Sequence, residues 1–237
     1  MVTDALHHKF YDGLQYNGTK IFYDWIREHI DPTMRVLNLG AGPPAVDPIR
    51  ILKGEVAELV GADVDRCVLD NPELDRRVMI ENDRIPLEDA SFNLIFSDYV
   101  LEHVEKPRLF LAEVNRLLKD GGSFFFRTPN RYHYVAVISA MTPHWFHHAL
   151  ANRVRRNTMD AQEPWPTFYR INTRRSIARE ARIAGFAGVE LRMVECEPSY
   201  LRFATLPFLA GLAYERIVNS TGALAGLRSN VFGRLTK

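Results

Sequence analysis

Apolar positions in the first half of the chain come in short unbroken runs rather than in alternation with polar ones. Arg35-Val-Leu-Asn-Leu-Gly-Ala-Gly42 is the first, residues 56–64 the second, 92–96 the third and 123–126 the fourth. Runs of this length, bounded by glycine, aspartate or proline, predict strands buried on both faces of a parallel sheet. Between them the period lengthens. Leu101, Val104, Leu109, Leu111, Val114, Leu117 and Leu118 follow a helical stripe that Asp120-Gly-Gly122 should stop. Asn172-Thr173 ahead of residues 174–184, with Gly185-Phe186 behind them, reads as a capped helix. Such alternation implies right-handed crossovers and a doubly wound α/β sheet. The rhythm then breaks: residues 189–195 alternate like a strand, 200–219 look helical, and 230–236 predict a final strand. The segment 131–171 is too long for a plain connection and is read as a lid or substrate-binding insertion.

Composition narrows the class without naming it. A chain of 237 residues, 46% hydrophobic and 25% charged, suits one packed domain and excludes a disordered or fibrous protein. The net charge of +1 argues against a dedicated nucleic-acid binder. Cys67 and Cys196, far apart and outside any CxxC, set aside a disulfide framework and a cysteine zinc site, so a reducing, cytoplasmic setting is expected. The first ten residues carry no secretory pattern. Residues 132–152 are uncharged but interrupted by Pro143 and four histidines, and the apolar stretch 203–214 is shorter than the roughly 20 residues a spanning helix needs.

The chemistry starts at the first glycine turn. Gly40 and Gly42 end a predicted central strand, where glycine lets backbone approach a ligand and a following helix start, suited by Pro43 and Pro44, offers unpaired N–H groups. About 20 residues on, Asp63 ends the second strand, where a carboxylate can accept hydrogen bonds from both ribose hydroxyls. Gly40-x-Gly42-x-x-Ala45 followed by Asp63 also satisfies a nicotinamide-dinucleotide fingerprint, so an oxidoreductase is one alternative.

Glu81-Asn-Asp-Arg-Ile-Pro-Leu87, Glu88-Asp-Ala-Ser-Phe-Asn-Leu-Ile-Phe96, Tyr99-Val-Leu-Glu-His-Val104, Leu117-Leu-Lys-Asp-Gly-Gly122 and Thr128-Pro-Asn130 follow in order. That set, over residues 34–130, resembles the class I S-adenosylmethionine-dependent methyltransferases, most closely their small-molecule branch. The resemblance implies a Rossmann-like seven-stranded sheet with an antiparallel last strand, and S-adenosylmethionine as cofactor. One domain, 1–237, would comprise a helical cover (1–33), a cofactor-binding core (34–130), the helical and aromatic insertion (131–171), and a C-terminal half (172–237) with its own helical insertion (200–219). By carry-over, Asn38, Gly40, Ala41 and Gly42 line the methionine part, Asp63 holds the ribose and Val64 packs on the adenine. Glu81 and Asn82 meet the adenine edge, and Ser97 and Asp98, just past the fourth strand, meet the amino-acid end. Asn38 stands where the family usually has an acid, and Pro44 where it has a third glycine. These departures keep open a cofactor-binding partner without catalysis.

Methyl transfer from a sulfonium needs mainly alignment, with a base where the acceptor is a hydroxyl. His103 is the first candidate base, His133 and His144 the next. His144-x-x-His147-His148 has no evident third ligand and reads as a packed helix, so no metal is expected. Asp98 and Glu102 are carboxylates at a predicted helix start, where they would also complement its dipole. Residues 131–175 hold seven arginines against Asp160 and Glu163, a local +5 that leaves −4 elsewhere. Within them Arg131, Tyr132, Trp145, Tyr169 and Arg170 are the candidate substrate contacts, fit for a partly apolar, partly anionic small molecule such as a lipid, polyketide, quinone intermediate or carrier-linked sugar. The 200–219 helix should pack, with membrane-surface contact as the alternative.

Overall fold

The computed structural model describes residues 2–13, 16–45, 47–82, 84–135 and 165–237, which form two compact units. The larger holds residues 19–128, 167–192 and 231–237, the smaller residues 1–18, 129–166 and 193–230. A seven-stranded sheet contains β1 (Arg35–Leu39), β2 (Glu58–Asp63), β3 (Arg76–Met79), β4 (Phe92–Asp98), β5 (Leu118–Pro129), β6 (Gly188–Val194) and β7 (Asn230–Thr236), in the order β3-β2-β1-β4-β5-β7-β6. The first five are parallel, in register at Leu37↔Val60, Leu37↔Ile95 and Asp98↔Arg127. β7 runs the other way, as its bonds to β5 show at both ends: Lys237 N–H to Gly122 O, and Asn130 N–H to Ser229 O. The Rossmann-like sheet with an antiparallel last strand is therefore present.

Three consecutive phenylalanines in β5 explain how helices come to cover both faces. Side chains alternate along a strand, so Phe125 meets Trp25 of α2 (Gly18–Arg27) at 4.9 Å, while Phe124 meets Phe110 of α3 (Pro107–Leu117) at 6.1 Å. All three phenylalanines are fully buried, and Gly233 of β7 leaves room for Phe126, whose ring a Cβ would approach to 2.0 Å. Thr173 caps α4 (Arg174–Ile183), its hydroxyl accepting from Ser176 N–H, and Gly185 ends it at φ 87° as anticipated.

Within the smaller unit, α1 (Val2–Tyr11) packs on α5 (Thr205–Asn219) through Tyr11 and Phe208, whose rings lie 6.1 Å apart. The Tyr11 hydroxyl donates to buried Glu215, and Gly211 is bare because a Cβ would lie 2.6 Å from Pro198. No helix among the described residues is long and apolar enough to cross a membrane.

Four local readings need correction. No α-helix follows the glycine turn among the described residues; only a 3-10 turn, Pro48–Arg50, lies between β1 and β2. The stripe at 101–118 divides into a 3-10 turn, Leu101–His103, and α3, because Pro107 takes the first helical position and restarts the chain. Asp120-Gly-Gly122 does not stop that helix but lies inside β5, with Gly121 at φ 76°. Ser97 is within β4 rather than past it, fully buried, its hydroxyl donating to Leu39 O at 2.9 Å.

Candidate functional site

The order β2-β1-β4 reverses direction of travel at β1, and ligands bind beyond the carboxyl ends of strands at such a point. Gly40 and Gly42 leave β1 there at φ 85° and 57°, in the left-handed region that favours glycine. Gly40 has a second constraint: a Cβ would sit 2.3 Å from Val100 Cγ2. Valine has few side-chain alternatives, so Gly40→Ala should destabilise the protein by about 1–3 kcal/mol, from overpacking and backbone strain together. Urea melts would check this, and a loss below a few tenths would show that neither the Val100 contact nor the backbone strain is felt.

The turn folds over the end of β2. Gly40 and Ala41 both donate to Ala62 O, at 2.8 and 3.3 Å, and Gly42 N–H donates to Asp63 Oδ2 at 2.8 Å. Asp63 Oδ1 accepts from Asp65 N–H, also at 2.8 Å. Each carboxylate oxygen thus holds one backbone N–H and keeps acceptor capacity for a further donor, as two vicinal hydroxyls would require. Val64 beside it is 52% exposed and offers an apolar surface, while Glu81 and Asn82 are exposed on the turn after β3, whose Met79 lies in register with Asp63. Asn38 sits in β1 opposite Gly61 and Phe96.

At the end of β4 the chemistry is ionic. Asp98 is buried, and both its oxygens accept from Arg127, its register partner on β5; Arg50 Nη2 lies 2.6 Å and the Tyr23 hydroxyl 3.3 Å from Oδ2. Burial alone would raise the Asp98 carboxyl, but Arg127 and Arg50 outweigh it and hold it below the ordinary range. The Arg127 guanidinium also lies 4.6 Å over the Tyr99 ring, Tyr99 being at φ 57°. Among the described residues, Arg50 Nε is buried without a hydrogen-bond partner. An orphaned cationic donor at this edge, together with the remaining acceptor capacity of Asp63, fits a nucleoside that carries a carboxylate.

Just beyond, Glu102 is buried and raised by that burial, with Asn172 Nδ2 donating to Thr128 Oγ1 and Thr128 donating to the Glu102 carboxyl at 2.9 Å. Glu102 O accepts the N–H groups of Phe168 and Tyr169, and Arg170 donates to Glu105 O at 2.6 Å. The structure therefore brings Tyr169 and Arg170 against the segment that bears half-buried His103. Arg131, Tyr132 and His133 belong to the smaller unit, Arg131 and Tyr132 exposed and His133 buried. His144 and Trp145, with His147 and His148, lie outside the described residues.

Two groupings escaped the sequence reading. Arg50, Arg127 and Tyr23 around Asp98 depend on β4–β5 register and on where an irregular connection returns. Glu195 Oε2 lies 3.5 Å from His133 Nε2, both side chains under 10% exposed; the one available signal was a carboxylate closing an apolar strand. Among the described residues, no group of three or more histidine, cysteine or acidic side chains could hold a metal ion.

Comparison with known proteins agrees with this geometry. A family described as a methyltransferase domain matches residues 14–191. The chain is similar to a ubiquinone biosynthesis O-methyltransferase of Pseudomonas syringae pv. tomato, 27% identical over 54% of this chain and 61% of that protein. It is likewise similar to one of Maricaulis maris, 26% identical over 47% of each. The chain thus spans about half to three fifths of the length of these curated relatives. Among solved structures it is similar to a SAM-dependent methyltransferase from Archaeoglobus fulgidus, with TM-score 0.56 and 15% identity over 97% of this chain and all of that one, a likeness of fold.

Proposed function

The chain belongs to the methyltransferase-domain family of the class I S-adenosylmethionine-dependent superfamily, and on that premise we propose that it methylates an oxygen of a partly apolar small molecule. The observation that carries the reading is the fastening of the Gly40–Gly42 turn to Asp63 at the strand-order reversal. When bound, S-adenosylmethionine supplies an electrophilic methyl group on a sulfonium. In this reading the residues of the chain orient and exclude. Asp63 accepts the ribose hydroxyls, Val64 covers the adenine, Glu81 and Asn82 face its edge, and the 97–98 backbone lies at the amino-acid end. Asn38, Gly40, Ala41 and Gly42 form the wall beside the methionine portion.

Alignment supplies most of the acceleration in a direct displacement. Removal of the acceptor proton falls to His103, supported by its place directly after β4 beside the buried Glu102. His133 and His144 are the further candidate bases. Tyr169 and Arg170, adjoining the same segment, would meet the acceptor, Arg170 its anionic group and Tyr169 its apolar part; Arg131 and Tyr132 of the smaller unit, and Trp145 outside the described residues, are the further candidate acceptor contacts. An oxygen acceptor is supported by the two curated relatives, both O-methyltransferases.

S-adenosylhomocysteine at about 100 times its dissociation constant should stabilise the protein by about 2.7 kcal/mol, a rise of roughly 5–11 °C in Tm for a chain of this size. NAD(P) should leave Tm unchanged. The reverse pattern would point to the oxidoreductase alternative. Labelled methyl transfer to a panel of phenolic, catecholic and carboxylated acceptors then tests the chemistry, and cofactor binding without turnover on any of them would favour a non-catalytic partner.

A further inference from the structure

We infer that Arg50 holds the α-carboxylate of the adenosyl cofactor. The inference rests on the methyl-transfer reading and adds to it a residue from a connection that bears no motif. Around Asp98, among the described residues, one carboxylate faces two guanidinium groups, so this cluster carries one positive charge in excess at the carboxyl end of β4. Arg127 cannot be the group that uses it. Its side chain is 4% exposed, and its Nε and Nη2 go to Asp98 and Thr19.

Arg50 differs. Its side chain is 34% exposed, its Nη2 reaches Asp98, and its Nε is shut away from water with no acceptor among the described residues. A buried donor without a partner is costly, and a guanidinium is shaped to take a carboxylate through two parallel bonds. The segment is held ready for this. Asp47 accepts the Ile49 N–H at 3.0 Å and the Arg50 N–H at 2.9 Å, while Arg27 of α2 donates to Ile51 O and pairs with Glu55.

Position selects the cofactor's carboxylate. Asp63 ends β2 and Asp98 ends β4, with β1 and its glycine turn between them. Two strand spacings are about 10 Å, comparable to the reach of an adenosyl amino acid from ribose to carboxylate. Asp63 at one end and Arg50 at the other would fix both ends of the molecule across β1.

Calorimetric titration with three ligands tests this: S-adenosylhomocysteine, its decarboxylated analogue, and 5′-methylthioadenosine, which lacks the amino-acid portion. The wild type should prefer S-adenosylhomocysteine over the decarboxylated analogue by tenfold or more. Arg50→Gln should abolish that preference and leave the 5′-methylthioadenosine constant unchanged. Should the glutamine variant not fold, Arg50→Lys decides, since it keeps the charge but loses the fork, and the preference should fall severalfold. Equal affinities in the wild type, or an unaltered preference in either variant, overturn the assignment. No binding of any of the three by folded wild type overturns the methyl-transfer reading itself, and this assignment with it.

Discussion

Asp98→Ala is expected to lower the unfolding free energy by about 3–5 kcal/mol, because it leaves buried guanidinium charge without a counter-charge. Asp98 and Arg127 are each at most 5% exposed, so water cannot replace the lost partner. Arg50 can turn outward, which places most of the cost on Arg127. Against a total stability of about 5–15 kcal/mol, the loss is large enough to move the urea midpoint well outside experimental error. The m-value should stay constant. The double variant Asp98→Leu/Arg127→Met should recover most of the loss, since apolar replacement of a whole buried pair is often near neutral. A single-variant loss under about 1 kcal/mol, in the range of an exposed ion pair, would mean that the cluster is hydrated.

Between pH 4.5 and 6.5 the buried His133–Glu195 pair should contribute almost no slope to stability, and removing either partner should expose opposite slopes. Burial pushes His133 down to about 4 and Glu195 up to about 7, the latter despite the Ser229 N–H that its carboxylate accepts at 2.8 Å. Glu215 adds to the rise of Glu195, and Tyr214 packs on His133 with ring centroids 5.6 Å apart. In that window the folded pair holds one proton, whichever partner carries it. The unfolded chain also holds one, as histidinium, since Glu is ionised above its ordinary 4.5 and His protonated below its ordinary 6.5. Glu195→Gln leaves a histidine that binds its proton only when unfolded. Stability should then rise with pH from 4 to 6.5, by about 3 kcal/mol. His133→Asn leaves a carboxyl that binds its proton more tightly when folded, so stability should fall by a similar amount from pH 4.5 to 7. Chemical denaturation at half-unit pH steps would measure both. Parallel profiles for the two variants would contradict the opposite shifts of His133 and Glu195.

The features legible in the sequence were those where one residue type is nearly obligatory. Gly40 and Gly42 need positive φ, and the Asp closing the second apolar run does end β2. The Thr173 cap and Gly185 stop were equally readable because a helix end has few solutions. β3 was invisible. Of its four residues only Val78 is buried, and an edge strand shows little apolar pattern. The expected helix after the glycine turn failed because Pro43 and Pro44 suit a helix start but also an extended chain, and the only helical turn before β2 among the described residues is Pro48–Arg50. The Asp98 cluster and the His133–Glu195 pair depend on register and on crossings between distant segments. Neither is encoded in any local period.

The position of β7 has a consequence for how the protein is made. β6 precedes β7 in the chain yet lies beyond it in the sheet, so β6 has no strand to bond until β7 has been synthesised and inserted beside β5. The five parallel strands can assemble as they emerge from the ribosome, whereas the edge of β5 stays open through the synthesis of more than a hundred residues. Closing that edge late brings together residues as far apart in sequence as Gly122 and Lys237, a pairing of high contact order that slows folding. During that interval the nascent chain exposes the open edge of β5, the kind of surface that chaperones bind.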